Sequence, residues 1–173
     1  MSDKKKEILD WVKVILAAVA ISFILNNFVI VNAQVPTGSM ENTVMTKDRV
    51  FANRLSYLFS NPQRGDIVVF PFPDDESVNY LKRIIGLPGD TVEIKDGKVY
   101  INNSKESLKE DYLKEKPTGS YGPYKVPADS YFMMGDNRNI SLDSRFWNHP
   151  FVKKDKILGK VVLRYYPSIT VLK

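Results

Sequence analysis

The chain has 173 residues, with 25 Lys and Arg against 20 Asp and Glu, for a formal net charge of +5. It has no cysteine, which removes thiol nucleophiles, cysteine-based zinc sites and disulfides; its single histidine, His149, rules out a histidine-rich metal site and leaves one place to build a Ser-His-Asp triad. The basic residues are dispersed and form no readable nucleic-acid module, so no nucleic acid is expected as a partner, and nothing in the sequence asks for a cofactor or a metal.

After a short basic N-terminus (residues 1–10, assigned to the cytoplasm), the stretch 11–31 is apolar and predicts a transmembrane anchor. About 20 helical residues span a hydrocarbon core. Lys13, Ser22, Asn26 and Asn27 interrupt the stretch. Lys13 can snorkel to the interface, while the two asparagines fit either a partner helix or the approach to the outer interface. Lys4, Lys5, Lys6 and Lys13 precede or open the span, and the next basic residue is Lys47. The positive-inside rule therefore places the N-terminus in the cytoplasm and residues 32–173 outside, as the extracytoplasmic domain of a single-pass cell-membrane protein. A cleaved secretory signal is the competing reading, with Val31-Asn32-Ala33 as the cut. The length of the apolar stretch, its asparagines and the nearby Pro36 argue against it.

The rest of the chain reads as mainly β. Short β-rich runs occur at Asp66–Phe70, Thr91–Ile94, Val99–Ile101, Ser130–Met134 and Lys160–Tyr166, punctuated by proline and glycine. Asp96-Gly97 between two of these runs predicts a tight hairpin, because both central turn residues tolerate positive φ. The pattern argues for antiparallel sheets rather than βαβ units. Arg49–Phe59 reads as a strand followed by a short helical turn, and the charged segment Ser104–Lys116 as a mobile surface excursion.

Immediately after the anchor comes Val35-Pro36-Thr37-Gly38-Ser39-Met40. Taken alone it is an ordinary turn, but its position singles it out. Val31 and Ser39 are separated by at most about 28 Å of extended chain, which tethers Ser39 near the outer membrane face. Gly38 lets the backbone approach a substrate carbonyl, and the Ser39 N–H with the Thr37 hydroxyl can form an oxyanion hole. A serine hydroxyl needs a base. The best-placed candidate is Lys82, within Asn79-Tyr80-Leu81-Lys82-Arg83-Ile84-Ile85-Gly86, whose apolar neighbours can desolvate an amine and lower its pKa. An ordinary solvated strand lysine is the alternative, and the sequence alone does not bring Lys82 to Ser39.

Four segments in order resemble the type I signal peptidase family (bacterial leader peptidases, serine proteases with a Ser/Lys dyad) in its short Gram-positive-like form. They are Val35–Met40, Arg64–Phe70, Tyr80–Asp90 and Gly135–Arg145. The resemblance covers most of residues 1–167 and implies antiparallel sheets forming the signal-peptidase catalytic core. It implies a membrane-anchored endopeptidase that removes signal peptides from secreted preproteins after small residues at −1 and −3, by acylation of Ser39 with Lys82 as general base. Ser141 would orient the Lys82 amine, Asp143 and Arg145 would form a supporting ion pair, and Thr37 would give the second oxyanion donor. Val35, Met40, Tyr80 and Leu81 would line the small substrate pockets. The partners implied are signal peptides of exported preproteins and the lipid bilayer, with the secretion translocon as a further candidate.

Two departures stand out. Asn42 replaces the family's proline after the nucleophile box, which predicts a looser loop, and Asn148 replaces a glycine after Trp147. Rival readings are a self-cleaving stress-response repressor protease, a non-enzymatic membrane-tethered β domain, and a dedicated pilus- or sortase-locus peptidase relative. The first would carry a DNA-binding domain where this chain has its apolar stretch.

Overall fold

The structure, a computed structural model, describes residues 3–172. Helix α1 (Asp3–Ile24) runs directly into a π-type turn over Leu25–Val29. Together, Lys4–Val29 is long and apolar enough to cross a membrane. Its large apolar side chains, from Ile8 to Phe28, are exposed. Asn26 and Asn27 are satisfied on their own helix. Asn26 Nδ2 donates to Ser22 Oγ (3.3 Å) and Asn27 Nδ2 to the Phe23 carbonyl (2.8 Å), each four residues back.

Among the described residues eleven strands follow: β1 (Ile30–Gln34), β2 (Arg49–Asn53), β3 (Ile67–Phe72), β4 (Asp75–Gly86), β5 (Thr91–Lys95), β6 (Lys98–Ile101), β7 (Tyr121–Lys125), β8 (Ser130–Met134), β9 (Phe151–Lys153), β10 (Gly159–Tyr166) and β11 (Thr170–Val171). The larger sheet runs β1-β2-β10-β3-β4-β8-β9, with β11 paired to β10, and the smaller runs β6-β5-β7. Every pairing is antiparallel, as the strand pattern predicts. The Asp96-Gly97 turn takes φ values of 49° and 79°, the two positive angles that a two-residue hairpin turn needs.

Three differences from the sequence reading bear on the site. Ile30 and Val31, assigned to the anchor by hydropathy, belong to β1. Val31 pairs with Ala52 and is buried in the core, an environment that hydropathy alone does not separate from lipid. Strand β4 is twelve residues long, and its exposed, polar first half gives no alternating signal. The segment 104–116 is held down rather than mobile. Leu108 packs on the core of the smaller sheet, Tyr112 lies against Arg83, and Glu110 pairs with Arg138.

The core is three apolar clusters arranged around β4. Val31, Val35, Met40, Val50, Ile67 and Val69 fill one, beneath β1 and the turn that follows it. Phe70, Ile84, Tyr131, Met133 and Trp147 form the second, and Ile85, Val92, Val99 and Phe132 join the small sheet to the large one in the third. Alternation along β4 sends Ile84 and Ile85 to different clusters. The strand therefore runs through the middle of the domain, and Lys82, two residues earlier, is buried with 4% exposure.

Candidate active site

Ser39 sits in a single 3₁₀ turn, Gly38–Met40, reached directly from β1. The turn is pinned from two sides. On one, Val35 N–H donates to the Asp48 carbonyl (2.9 Å) and Lys47 N–H to the Val35 carbonyl (2.8 Å). On the other, Asn137 N–H donates to the Ser39 carbonyl (3.0 Å) and Asn137 Nδ2 to the Gly38 carbonyl (3.2 Å). Gly135 makes the second approach possible. A Cβ there would lie 2.2 Å from Ser141 Oγ and 2.4 Å from the Ser39 carbonyl oxygen, so only a glycine lets the 135–137 backbone close on this turn.

Lys82 Nζ lies 2.6 Å from Ser39 Oγ, and both residues are buried. Burial pushes the Lys82 amine down to about 8, against the opposing pull of the Asp143 and Asp136 carboxylates. A neutral amine at this distance can accept the hydroxyl proton. Thr37 Oγ1 stands 3.4 Å from Ser39 Oγ, on an exposed residue facing the open side.

The two carboxylates near Lys82 are each held by an arginine. Asp143 accepts from Arg145 Nε (2.8 Å) and Nη2 (2.9 Å), and from the Gly135 N–H (3.0 Å). Asp136 accepts from Arg83 Nε (2.8 Å) and Nη2 (2.6 Å), and from Thr43 Oγ1 (2.5 Å). Both ion pairs are almost fully buried. Ser141 does not make the bond to Lys82 that the resemblance implies. Its hydroxyl is buried without a hydrogen-bond partner among the described residues, while its N–H donates to the Asn137 carbonyl.

Above the Ser39–Lys82 pair opens a cleft of about 480 Å³. One wall is Val31–Gln34 of β1 and the other Val78–Leu81 of β4, with Ile140 and Leu142 at the lip. Val35, Met40, Tyr80 and Leu81 all line it, Met40 with no solvent exposure. Both walls carry an unused strand edge: β1 pairs with β2 alone, and β4 meets β8 from Arg83 onward. His149 is elsewhere, exposed, with Nδ1 2.7 Å from Asp74 Oδ1, so no histidine triad is assembled around it.

The sequence reading missed a second layer of support. Arg83, Asp136, Asn137 and Arg138 lie inside segments it quoted, but it gave them no role. Glu110 and Tyr112 carry no local signal. Arg138 donates through Nε to the Gly135 carbonyl (3.0 Å) and pairs with Glu110, whose carboxylate also accepts from Tyr112 (2.8 Å). The Arg83 guanidinium sits 4.0 Å from the Tyr112 ring centre. The same segment reaches the loop after Ser39: Asn42 Nδ2 donates to the Tyr112 carbonyl (3.2 Å) and Lys114 pairs with Glu41 (2.9 Å). Asn42 therefore does not loosen this loop. It takes φ 85°, a value closed to proline, and ties the loop to the strap over 104–116. Asn148 keeps an ordinary φ, and its N–H is held by Asp74 (2.8 Å).

The family model described as signal peptidase, peptidase S26, matches residues 8–166. The chain is 39% identical over 177 residues to a probable signal peptidase I-2 of Synechocystis sp., covering 96% of this chain and 79% of that protein. It is 42% identical over 176 residues to a signal peptidase I of Bacillus amyloliquefaciens, covering 96% and 92%. A crystal structure of a signal peptidase I from Enterococcus faecalis V583 aligns with a TM-score of 0.51 at 39% identity, over 58% of this chain and 97% of that one.

The loop geometry gives a test. Asn42→Pro is expected to destabilise the protein by more than about 1 kcal/mol, since the ring forbids the native φ and the tie to Tyr112 is lost. Asn42→Gly, which accepts that φ, should cost less. Thermal unfolding of the full chain in detergent measures both; equal stability of the proline variant and the parent would contradict the loop conformation.

Proposed function

Because the chain belongs to the peptidase S26 signal peptidase family, we propose that it is a membrane-anchored endopeptidase that cleaves signal peptides by a Ser39–Lys82 dyad. The observation that carries this reading is the 2.6 Å approach of a buried lysine amine to a serine hydroxyl at the base of an open cleft.

In this proposal the preprotein's signal helix lies in the bilayer beside α1, and its cleavage segment enters the cleft extended. The free edges of β1 and β4 offer it main-chain hydrogen bonds, which give affinity without reading sequence. Val35, Tyr80 and Leu81 line the cleft, with Met40 setting its depth, so that small side chains enter at −1 and −3 and larger ones clash. Neutral Lys82 takes the Ser39 proton as Ser39 Oγ attacks the scissile carbonyl. The Ser39 N–H and the Thr37 hydroxyl stabilise the oxyanion. Lys82 then passes its proton to the leaving amine, and the same amine activates the water that hydrolyses the acyl-enzyme. Asp143 with Arg145 supports the wall behind Lys82. Ser141 keeps its proposed orienting role because its buried hydroxyl has no other partner among the described residues.

The anchor, ending at Val29 where the apolar helix gives way to β1, with the N-terminus cytoplasmic and the β domain outside, is part of the same proposal. It rests on the apolar helix and on the lysines before it. The bilayer and, at its surface, the secretion translocon are then the natural neighbours of the cleft. A non-enzymatic tethered domain has no use for a desolvated lysine against a serine.

Ser39→Ala and Lys82→Ala are each expected to lower cleavage of an Ala-x-Ala preprotein by at least roughly a thousandfold. Thr37→Val should slow it by about ten- to a thousandfold through the oxyanion alone. Cleavage by either dyad variant at near-parent rate would remove the dyad. The pH profile is a separate check. The reactive form of Lys82 is the neutral one, so kcat/KM should climb as pH rises through about 8 and fall toward lower pH. A rate independent of pH across that range would exclude a lysine base.

A further inference from the structure

A second concavity, of about 670 Å³, opens where the 3₁₀ turn after β2 (Arg54–Tyr57) faces β9 and the turn that follows it. Arg54, Tyr57 and Leu58 form one side, and Lys153 and Lys154 the other. Arg54 Nε is buried with no hydrogen-bond partner among the described residues. A buried guanidinium donor without an acceptor is one that an ion or a water can satisfy. Lys154 Nζ donates to the uncharged Asn61 Oδ1 (2.6 Å). Among the described residues, no ion pair involves Arg54, Lys153 or Lys154. Asp129 and Asp155 also line the rim. A carboxylate is an acceptor, so the lining suits an anionic centre that carries a hydrogen-bond donor beside it.

The position of this pocket narrows the ligand. Arg54 follows Asn53, which pairs with Ile30, the first residue beyond the apolar helix and its π turn. The 3₁₀ turn itself packs against Leu25–Val29. On the same turn and just past it, Leu55, Leu58 and Phe59 are 40%, 65% and 97% exposed. A cationic pocket and an uncovered apolar fringe therefore stand together at the outer end of a membrane-length helix. An amphiphile fits both at once, with its charged head in the pocket and its chains along Leu58 and Phe59.

We infer that this pocket binds the headgroup of an anionic phospholipid of the bilayer. Arg54, Lys153 and Lys154 take the phosphodiester, and Asp129 and Asp155 accept from hydroxyls of the headgroup. The inference rests on the membrane-anchored reading above but not on the dyad.

Native mass spectrometry of the full chain in detergent, titrated with phosphatidylglycerol or phosphatidylcholine, tests it. The parent should retain phosphatidylglycerol in preference to phosphatidylcholine. The double variant Arg54→Gln, Lys153→Gln should bind it about tenfold more weakly, while cleaving a soluble peptide at the parent rate. Leu58→Ser with Phe59→Ser should weaken the long-chain lipid more than its short-chain analogue. Equal retention of both lipids by the parent, or unchanged phosphatidylglycerol binding by the glutamine variant, overturns the site. Displacement of the lipid by equimolar inorganic phosphate would overturn the lipid as its ligand in favour of a free anion. Loss of peptide cleavage with lipid binding intact would count against the peptidase reading and leave this site standing.

Discussion

A lysine amine can accept a proton only while it is uncharged, and Lys82 is surrounded by groups that pull in both directions. Burial strips it of water and favours the neutral form, while Asp143 and Asp136 favour the charged one. Burial wins, and each carboxylate is paired with an arginine. Arg145 and Arg83 each hold one of these carboxylates through two hydrogen bonds, so the negative charge Lys82 meets is already spent on a closer partner. Burying two ion pairs is expensive, and such pairs often add little to stability. Their position here gives them a different use: each occupies a carboxylate that would otherwise favour the charged form of the buried lysine beside it.

From that requirement the surrounding architecture follows. Strand β4 runs through the domain and so buries its lysine, and the turn carrying Ser39 meets it there. The 135–145 segment makes the meeting possible by closing on the Ser39 turn through Asn137 and the side-chain-free Gly135, and on Asp143 through the Gly135 N–H. Behind it, Arg138 spans from the Gly135 carbonyl to Glu110 on the strap over 104–116. The strap also grips Glu41 and Asn42, two and three residues beyond Ser39. The serine turn and its opposing wall are thus fastened to one external segment, which limits their relative movement.

Much of this was legible in the sequence, and the limits have physical causes. The hairpin at Asp96-Gly97 was readable because the constraint is local: two adjacent residues must take positive φ. Ser39 and Lys82 were readable only through ordered segments of a known family, since nothing in a 43-residue separation says that two side chains touch. Glu110 was unreadable because a charged residue in a charged stretch looks like a solvated surface, and its partner Arg138 is 28 residues away. Val31 was misplaced because a buried β residue and a lipid-facing helical one have the same hydropathy. Ser141 marks a different limit. A role carried over from a family named a bond that the side chain does not make in this structure.

The join between helix and sheet has a mechanical consequence. The π turn ends at Val29 and β1 begins at Ile30, so no flexible tether separates the membrane-length helix from the strand that leads to the serine turn. Val31 is locked into the core, and Ile30 is paired to Asn53. Under the proposed function, a domain mounted this way would hold the Ser39 hydroxyl at a set distance from the end of the helix, and a peptide bond would be reached only if it left its own helix at that same level.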